Sequence, residues 1–401
     1  MKEEGRKKLA VITTFWSWRS HANHMSERFL NGYPLNGRWH RPNMDLVSAY
    51  VDQRPKTDLS DEKATRYGFV VYPDITQALR CGTDSLAVDA VLLIGEQGNY
   101  PDNEKGQKLY PRYEFFEQIV KVFREDGRSV PVFNDKHLSW SYAKAQKMVE
   151  TSKELKFPFL AGSSLPVTFR IPPIEFPLDC DIDDALMVGV GGSDAMDFHA
   201  LEAMQCMVER RRGGETGVKA VRMIEGDEVW RAGADGRWSR HLLEGALARS
   251  DSRTGVGLSD GRPQDLTHNG ELEKLVENPS AYFIEYNDGF RATLLMLNGA
   301  VRDFTFAARL RNNPKVQSLQ FQLPTKPNVT YSACLMNKVE EMIQTGRPPY
   351  PVERTLLVSG ILDRCLDSRI QGHRRLLTPE LNVTYRAPHK SQFWGAVDRQ
   401  S

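Results

Sequence analysis

Over its first 160 or so residues the chain alternates short apolar runs with stretches of helical period. Leu9 to Thr14, Leu46 to Val51, Phe69 to Tyr72, Val88 to Gly95, Ser129 to Phe133 and Phe157 to Ala161 are rich in Val, Ile, Leu and Phe. Between several of them lie helical patterns such as Tyr113 to Glu125 (YEFFEQIVKVFRE) and Tyr142 to Leu155. Strand, helix and strand in repetition predict a parallel sheet covered on both faces, with ligands bound beyond the carboxyl ends of the strands. The expected architecture is an α/β, Rossmann-like, doubly wound domain over residues 1–163.

The pattern changes after Ser164. Pro166, Pro172, Pro173 and Pro177 punctuate an extended segment, and DDALMVGVGG then reads as a strand running into a glycine turn. Ala281 to Tyr286 and Phe290 to Leu297 flank Asn287-Asp288-Gly289, a hairpin signal, because residues that tolerate positive φ match the twist of paired strands. Asn298-Gly299 repeats the signal one strand later. Residues 164–401 therefore read as an α+β domain with a mostly antiparallel sheet. Its last helical segment, Pro351 to Ser368, is expected to pack back on the first domain, and Arg249 to Gly270, rich in Ser, Asp and Gly, reads as a loop or insertion.

At 401 residues the chain suits two domains, and with 40% apolar residues it is typical of a globular protein. The 53 bases balance 52 acids to a formal charge of +1, so no overall field draws the chain to nucleic acid or acidic lipid; a small neutral or anionic substrate is the expectation. Cys81, Cys180, Cys206, Cys334 and Cys365 are scattered without a CxxC pair, which points to reduced thiols in a cytoplasm. No stretch approaches the roughly 18 apolar residues of a membrane span, and no export signal is visible.

A dinucleotide domain normally carries GxGxxG after its first strand, because glycines let the backbone approach a pyrophosphate at a helix N-terminus. Here LAVITT runs into FWSWRSHANH, which has no glycine. Hydroxyls of Thr13, Thr14 or Ser20 and backbone N–H groups are the substitutes on offer, and the alternative is that no pyrophosphate binds. The second strand, DLVSAYVDQ, ends in Asp52, where a carboxylate can accept hydrogen bonds from ribose hydroxyls or simply form a turn. His21 and His24 are three apart, which invites a metal reading, but no third ligand is evident and no metal is expected.

The run SVPVFNDKHLSWSYAKAQKMVETSKELKFPFLAGSSLPV resembles the segment of the Gfo/Idh/MocA oxidoreductases in which a strand ends in Glu-Lys-Pro. Asp135-Lys136-His137 stands in that place, with the acid shortened, the lysine kept and the proline replaced. VDAVLLIGEQGNYP resembles the family's fourth strand and nicotinamide-proximal loop, which nominates Gly95 and Glu96. GGSDAMDFHALEAMQCMVERRRGG resembles its glycine turn and the helix carrying Asp-x-x-x-His-x-x-Asp. His199 and Glu202 match the last two positions of that motif, glutamate standing for aspartate, whereas Ala195 occupies the first and Asp194 and Asp197 lie in a shifted register.

The resemblance implies hydride transfer to or from a hydroxyl-bearing carbon of a sugar, polyol or related compound, with NAD favoured over NADP because Asp52 would repel a 2′-phosphate. Implied catalytic residues are Lys136, His199 and Asp197: an imidazole to take the hydroxyl proton, an amine to stabilise charge on the oxygen, and Asp197 or Asp194 to orient the ring. Implied cofactor contacts are Thr13, Thr14, Asp52, Gly95, Glu96 and Asp135. Each has a plainer reading: Lys136 as a solvated turn residue, His199 as a core histidine, Asp194 and Asp197 as helix caps. The alternative function is a non-redox lyase or isomerase, or a ligand-binding protein, that has lost the phosphate loop. An exposed sheet face would need covering, which implies a homo-oligomer.

Overall fold

The computed structural model describes residues 5–192, 194–255, 267–311, 313–324, 326 and 329–395. The chain divides into two compact units. The first comprises Met1–Asp102, Lys108–Gly162 and Pro324–Val352, and the second Asn103–Gln107, Ser163–Leu323 and Glu353–Ser401.

The first unit is built on a six-stranded sheet of order β5-β4-β1-β6-β7-β8. Its strands are β1 (Lys7–Phe15), β4 (Met44–Gln53), β5 (Val70–Val71), β6 (Ala90–Ile94), β7 (Val132–Asp135) and β8 (Phe159–Gly162), and every pairing is parallel. β6 is buried at all five positions, as a strand covered on both faces demands. Helices α1 (His21–Leu30), α2 (Ser60–Tyr67), α3 (Ile75–Arg80), α4 (Arg112–Glu125) and α5 (Tyr142–Glu154) connect the strands. Ser20 caps α1 by accepting from Asn23 N at 3.2 Å. A small hairpin, β2 (Tyr33–Leu35) with β3 (Arg38–His40), follows α1. It is pinned to the Thr330–Thr345 helix through the buried Glu340, which accepts from Tyr33 Oη at 2.6 Å and meets His40 Nε2 at 2.8 Å. Nothing in the apolar pattern tells that Pro324–Val352 joins this unit.

The strand expected over Ser129–Phe133 lies further along. β7 runs to Asp135 because pairing with β8 continues through Asn134↔Ala161 and Asp135↔Gly162, so both polar residues are buried strand residues rather than a turn.

The second unit holds an eight-stranded sheet of order β16-β11-β12-β13-β10-β14-β15-β9. The strands are β9 (Arg170–Ile171), β10 (Ile182–Gly189), β11 (Val218–Glu225), β12 (Ser280–Tyr286), β13 (Arg291–Met296), β14 (Phe304–Leu310), β15 (Asn313–Phe321) and β16 (Leu376–Leu377). All pairings are antiparallel except β10 with β13. Asn287-Asp288-Gly289 makes the β12–β13 hairpin, as expected. Asn298-Gly299 does not make another. β10 lies between β13 and β14, and the Asn298 side chain instead exchanges hydrogen bonds with Gly191 at 2.7 and 3.0 Å. Gly299 has φ +103°, and an added Cβ would lie 2.1 Å from the Leu275 carbonyl oxygen.

Helix α6 (Ala195–Val208) is buried on nearly every side, hence its lack of a polar stripe. α7 (Asp227–Ala234), α8 (Arg240–Leu247) and the segment between them bring Val229, Trp238, Leu243 and Leu247 into a core with Leu186, Val188 and Leu295. The last long helix spans Val352–Ile370, and from Glu353 onward it belongs to the second unit. Of the Arg249–Gly270 stretch, residues 256–266 lie outside the described residues. All five cysteines are free, and among the described residues no helix is long and apolar enough to cross a membrane.

Candidate active site

In the first unit the residues singled out from sequence gather at the carboxyl edge of the parallel sheet, where strands hand over to helices. Lys136 follows β7 in a left-handed conformation, φ +60°, fixed by its N–H donating to Gly162 O at 3.2 Å. That kink turns the chain so that a buried lysine can reach the loop after β6. Its Nζ lies 3.1 Å from Glu96 Oε1, while Glu96 Oε2 is held by the wholly buried Arg112. Burial alone would raise the Glu96 carboxyl, but Lys136 and then Arg112 outweigh it and hold Glu96 well below the usual carboxylate range. Arg112 reaches Glu96 because residue 95 is glycine: a Cβ there would sit 2.6 Å from Arg112 Cγ.

Asp135, 1% exposed, meets His21 at the start of α1, with Oδ2 2.6 Å from Nδ1. A carboxylate on Nδ1 fixes the tautomer and leaves Nε2 as a base. The sequence names His21 only as half of a histidine pair, since nothing local tells that Asp135, 114 positions later, will lie behind it. His21 and His24 do approach, with ring centroids 5.0 Å apart, but among the described residues no group of three or more His, Cys, Asp or Glu is placed to hold a metal.

The positions expected to hold a dinucleotide divide in two. Asp52, at the end of β4, is exposed and accepts from Tyr50 Oη at 2.9 Å and Tyr100 Oη at 2.5 Å; burial, then the bond to Asp52, pushes the Tyr50 phenol up to about 12. It suits a ribose-binding carboxylate. The phosphate position does not fit. Thr13 and Thr14 are fully buried and their hydroxyls donate to Ile94 O at 2.8 Å and Glu96 O at 2.9 Å, tying β1 to β6 instead of facing outward. At the head of α1 the His21 N–H donates to Gln97 Oε1 at 2.9 Å and the Asn23 N–H to Ser20 Oγ, so these first-turn donors of a pyrophosphate cradle are engaged by side chains. Trp16, in the segment where the motif's glycines would stand, is buried and stacked on Phe69 with centroids 5.7 Å apart.

In the second unit His199 is buried on α6, and its Nδ1 lies 2.5 Å from Ser163 Oγ. Asp197, two residues earlier, has partners of its own. Its carboxylate accepts from Tyr282 Oη at 2.6 Å and Asp194 N at 3.1 Å, closing the helix cap with Asp194. Burial pushes Asp197 up to about 6 against the pull of Tyr282. Glu202, one turn on, accepts from Ser163 N and from Thr355 Oγ1, the latter at 2.6 Å, and burial pushes it up to about 7. Ser163, His21 and Arg112 are thus site groups that sequence alone did not single out as such, whereas Glu202 stood out as the last position of the helix motif. Serine and arginine, common in any chain, carry no local signal of the role.

No family model and no curated protein sequence matches the chain. Its fold is that of inositol dehydrogenases and other dehydrogenases of known structure. Myo-inositol 2-dehydrogenase from Lactobacillus plantarum superposes with TM-score 0.55 at 11% identity, over 92% of this chain and 99% of that one. GenD2 from gentamicin A biosynthesis, solved with NAD, gives 0.55 at 12%, over 94% and 97%. Myo-inositol dehydrogenase from Lactobacillus casei, solved with NAD(H) and myo-inositol, gives 0.55 at 11%, over 92% and 96%. At such identity the likeness carries the Rossmann-like domain and the α+β domain, and nothing finer.

Proposed function

We propose that the chain is an enzyme that moves protons at a hydroxyl-bearing carbon of a sugar, polyol or related compound, without a dinucleotide held in the usual cradle. The observation that carries this reading is the Asp135–His21 pair, 2.6 Å apart, on the strand end that also carries the buried Lys136. His21 Nε2 takes a proton from the hydroxyl-bearing carbon beside a carbonyl, the C–H electron pair moving toward the carbonyl oxygen, and Asp135 stabilises the imidazolium that forms. Lys136, paired with Glu96, stabilises the electron pair that moves onto the substrate oxygen. Return of the proton to the neighbouring atom completes an isomerisation; loss of a leaving group completes an elimination. Conserved fold with replaced phosphate contacts supports the non-redox reading.

A second reading is NAD-dependent hydride transfer, with Lys136, His199 and Asp197 as catalytic residues and Thr13, Thr14, Asp52, Gly95, Glu96 and Asp135 beside NAD. The exposed Asp52 carboxylate at the end of β4 favours it, as do neighbours solved with NAD. A small-molecule sugar or polyol substrate is common to both, and a homo-oligomer remains our expectation.

One experiment separates them. The full chain is incubated in D2O with a keto-inositol and no nicotinamide, and exchange of carbon-bound protons is followed by NMR. In parallel, NADH is titrated by fluorescence and NAD reduction is assayed with myo-inositol. Exchange that falls by about two to four powers of ten in His21→Gln supports the first reading. Saturable NADH binding with polyol-dependent reduction and no such exchange supports the second. Silence in both rejects both.

A further inference from the structure

Beside α1 the first unit holds a cavity of about 750 Å3, within the range of small-molecule sites. It is lined along α1 by Asn23, His24, Glu27 and Arg28, and by residues of α2 and the β2–β3 hairpin. Cations outnumber anions there. Arg19, Arg28, Lys63 and Arg66 line it, against the single carboxylate of Glu27, which is already held by Lys63 and by the Asn31 amide.

Arg28 is the telling residue. It is 9% exposed, its Nε donates to His24 O at 3.0 Å, and its two terminal nitrogens have no hydrogen-bond or ion-pair partner among the described residues. Partial burial disfavours the charged guanidinium, with the Glu27 carboxylate as the main opposing influence, and an anion in the cavity would add to it. Burial, then the neighbouring His21, holds the His24 imidazole well below its usual pKa, so the adjoining histidine is neutral and adds no competing cation. Arg19 and Arg66 likewise make no ion pair among the described residues. Asn23 and His24, which line the cavity and are each about nine-tenths buried or more, keep Oδ1 and Nδ1 without a hydrogen-bond partner among the described residues.

The same cavity presents aromatic faces. Trp18 is 76% exposed and Trp39 58%, the two largest hydrophobic side chains left on the surface of this unit, and both line the opening. Exposed indoles next to unpaired cations fit a ligand that joins a flat ring to phosphate.

We propose that this cavity binds a nucleoside diphosphate, its phosphates on Arg28, Arg19 and Arg66 and its base against Trp18 or Trp39. The site goes beyond the proton-transfer reading above and does not depend on it.

Tryptophan fluorescence of the full chain, titrated in parallel with ADP and with inorganic pyrophosphate at about 0.15 M salt, tests the proposal. ADP is expected to quench saturably and to bind at least about fivefold more tightly than pyrophosphate, the low end of what a stacked base contributes. Arg28→Met, which removes a buried charge and keeps the volume, is expected to weaken ADP at least about tenfold, the measure of a lost charge-assisted hydrogen bond. Trp18→Leu is expected to weaken ADP while leaving pyrophosphate unchanged, with calorimetry replacing fluorescence for that variant. No saturation by ADP up to about 1 mM, an affinity too weak for a built site, would overturn the proposal. So would ADP binding indifferent to both Arg28→Met and Arg19→Gln, or equal affinity for ADP and pyrophosphate.

Discussion

Glu96→Gln removes the one carboxylate that two buried cations share. Arg112 is 0% exposed at its side chain and Lys136 6%, so neither can turn to water when the charge is lost. At the 3.1 Å of the Lys136 contact and an effective dielectric of about 20, that pair alone attracts by about 5 kcal/mol. Measured losses on breaking buried pairs run about 3–5 kcal/mol, and we expect that range here. The assay is urea unfolding followed by circular dichroism, at a series of pH values. Because Glu96 is held below the usual carboxylate range in the folded chain, its contribution is fully present above the unfolded value of about 4.3 and fades as the pH falls through the folded one. The gap between wild type and variant should therefore be constant above about pH 5 and narrow in acid. Adding Lys136→Met to Glu96→Gln should recover part of the loss, since one orphaned cation goes with it, with a coupling of about 0.5–3 kcal/mol. A loss of less than about 1 kcal/mol, or a gap that does not change with pH, would show that the network is solvated and the reasoning wrong.

The Glu202 carboxyl, raised to about 7 by burial, has the opposite sign: its stability contribution is present below about 4.5 and lost as the pH rises through 7. Wild type should lose up to about 3 kcal/mol between pH 5 and 8 that Glu202→Gln does not, readable from urea midpoints. Gly95→Ala places a methyl 2.6 Å from Arg112 Cγ and should cost about 1–3 kcal/mol in the same assay. Gln97→Gly frees the His21 N–H at the head of α1; if side-chain occupancy is what closes the phosphate position, the variant should bind NADH at least about tenfold more tightly than wild type by fluorescence titration, about one charge-assisted hydrogen bond's worth.

Much of the architecture was legible along the chain. Hydrophobic runs at β1, β4, β6 and β8 and the helical period of α4 and α5 mark a doubly wound sheet, since these residues must be buried wherever the chain goes, and Asn287-Asp288-Gly289 marks its hairpin because few residues accept that backbone. Candidate chemistry was only partly legible. Lys136 stood out from its place at a strand end, and the structure buries it there beside Glu96. Asp197 also stood out, but a carboxylate three residues into a helix has two uses, and the Tyr282 hydroxyl and the cap took this one.

The sequence by itself determined most strands of the parallel sheet and the helices α4 and α5, because burial periodicity and turn chemistry are properties of neighbours along the chain. Which charge meets which was decided only by the tertiary structure. His21 with Asp135, Glu96 with Arg112, and Gln97 across the head of α1 are contacts between distant positions. Each forms because the parallel sheet brings the ends of β1, β6 and β7 to one edge, where low solvent access obliges every polar group to find a partner.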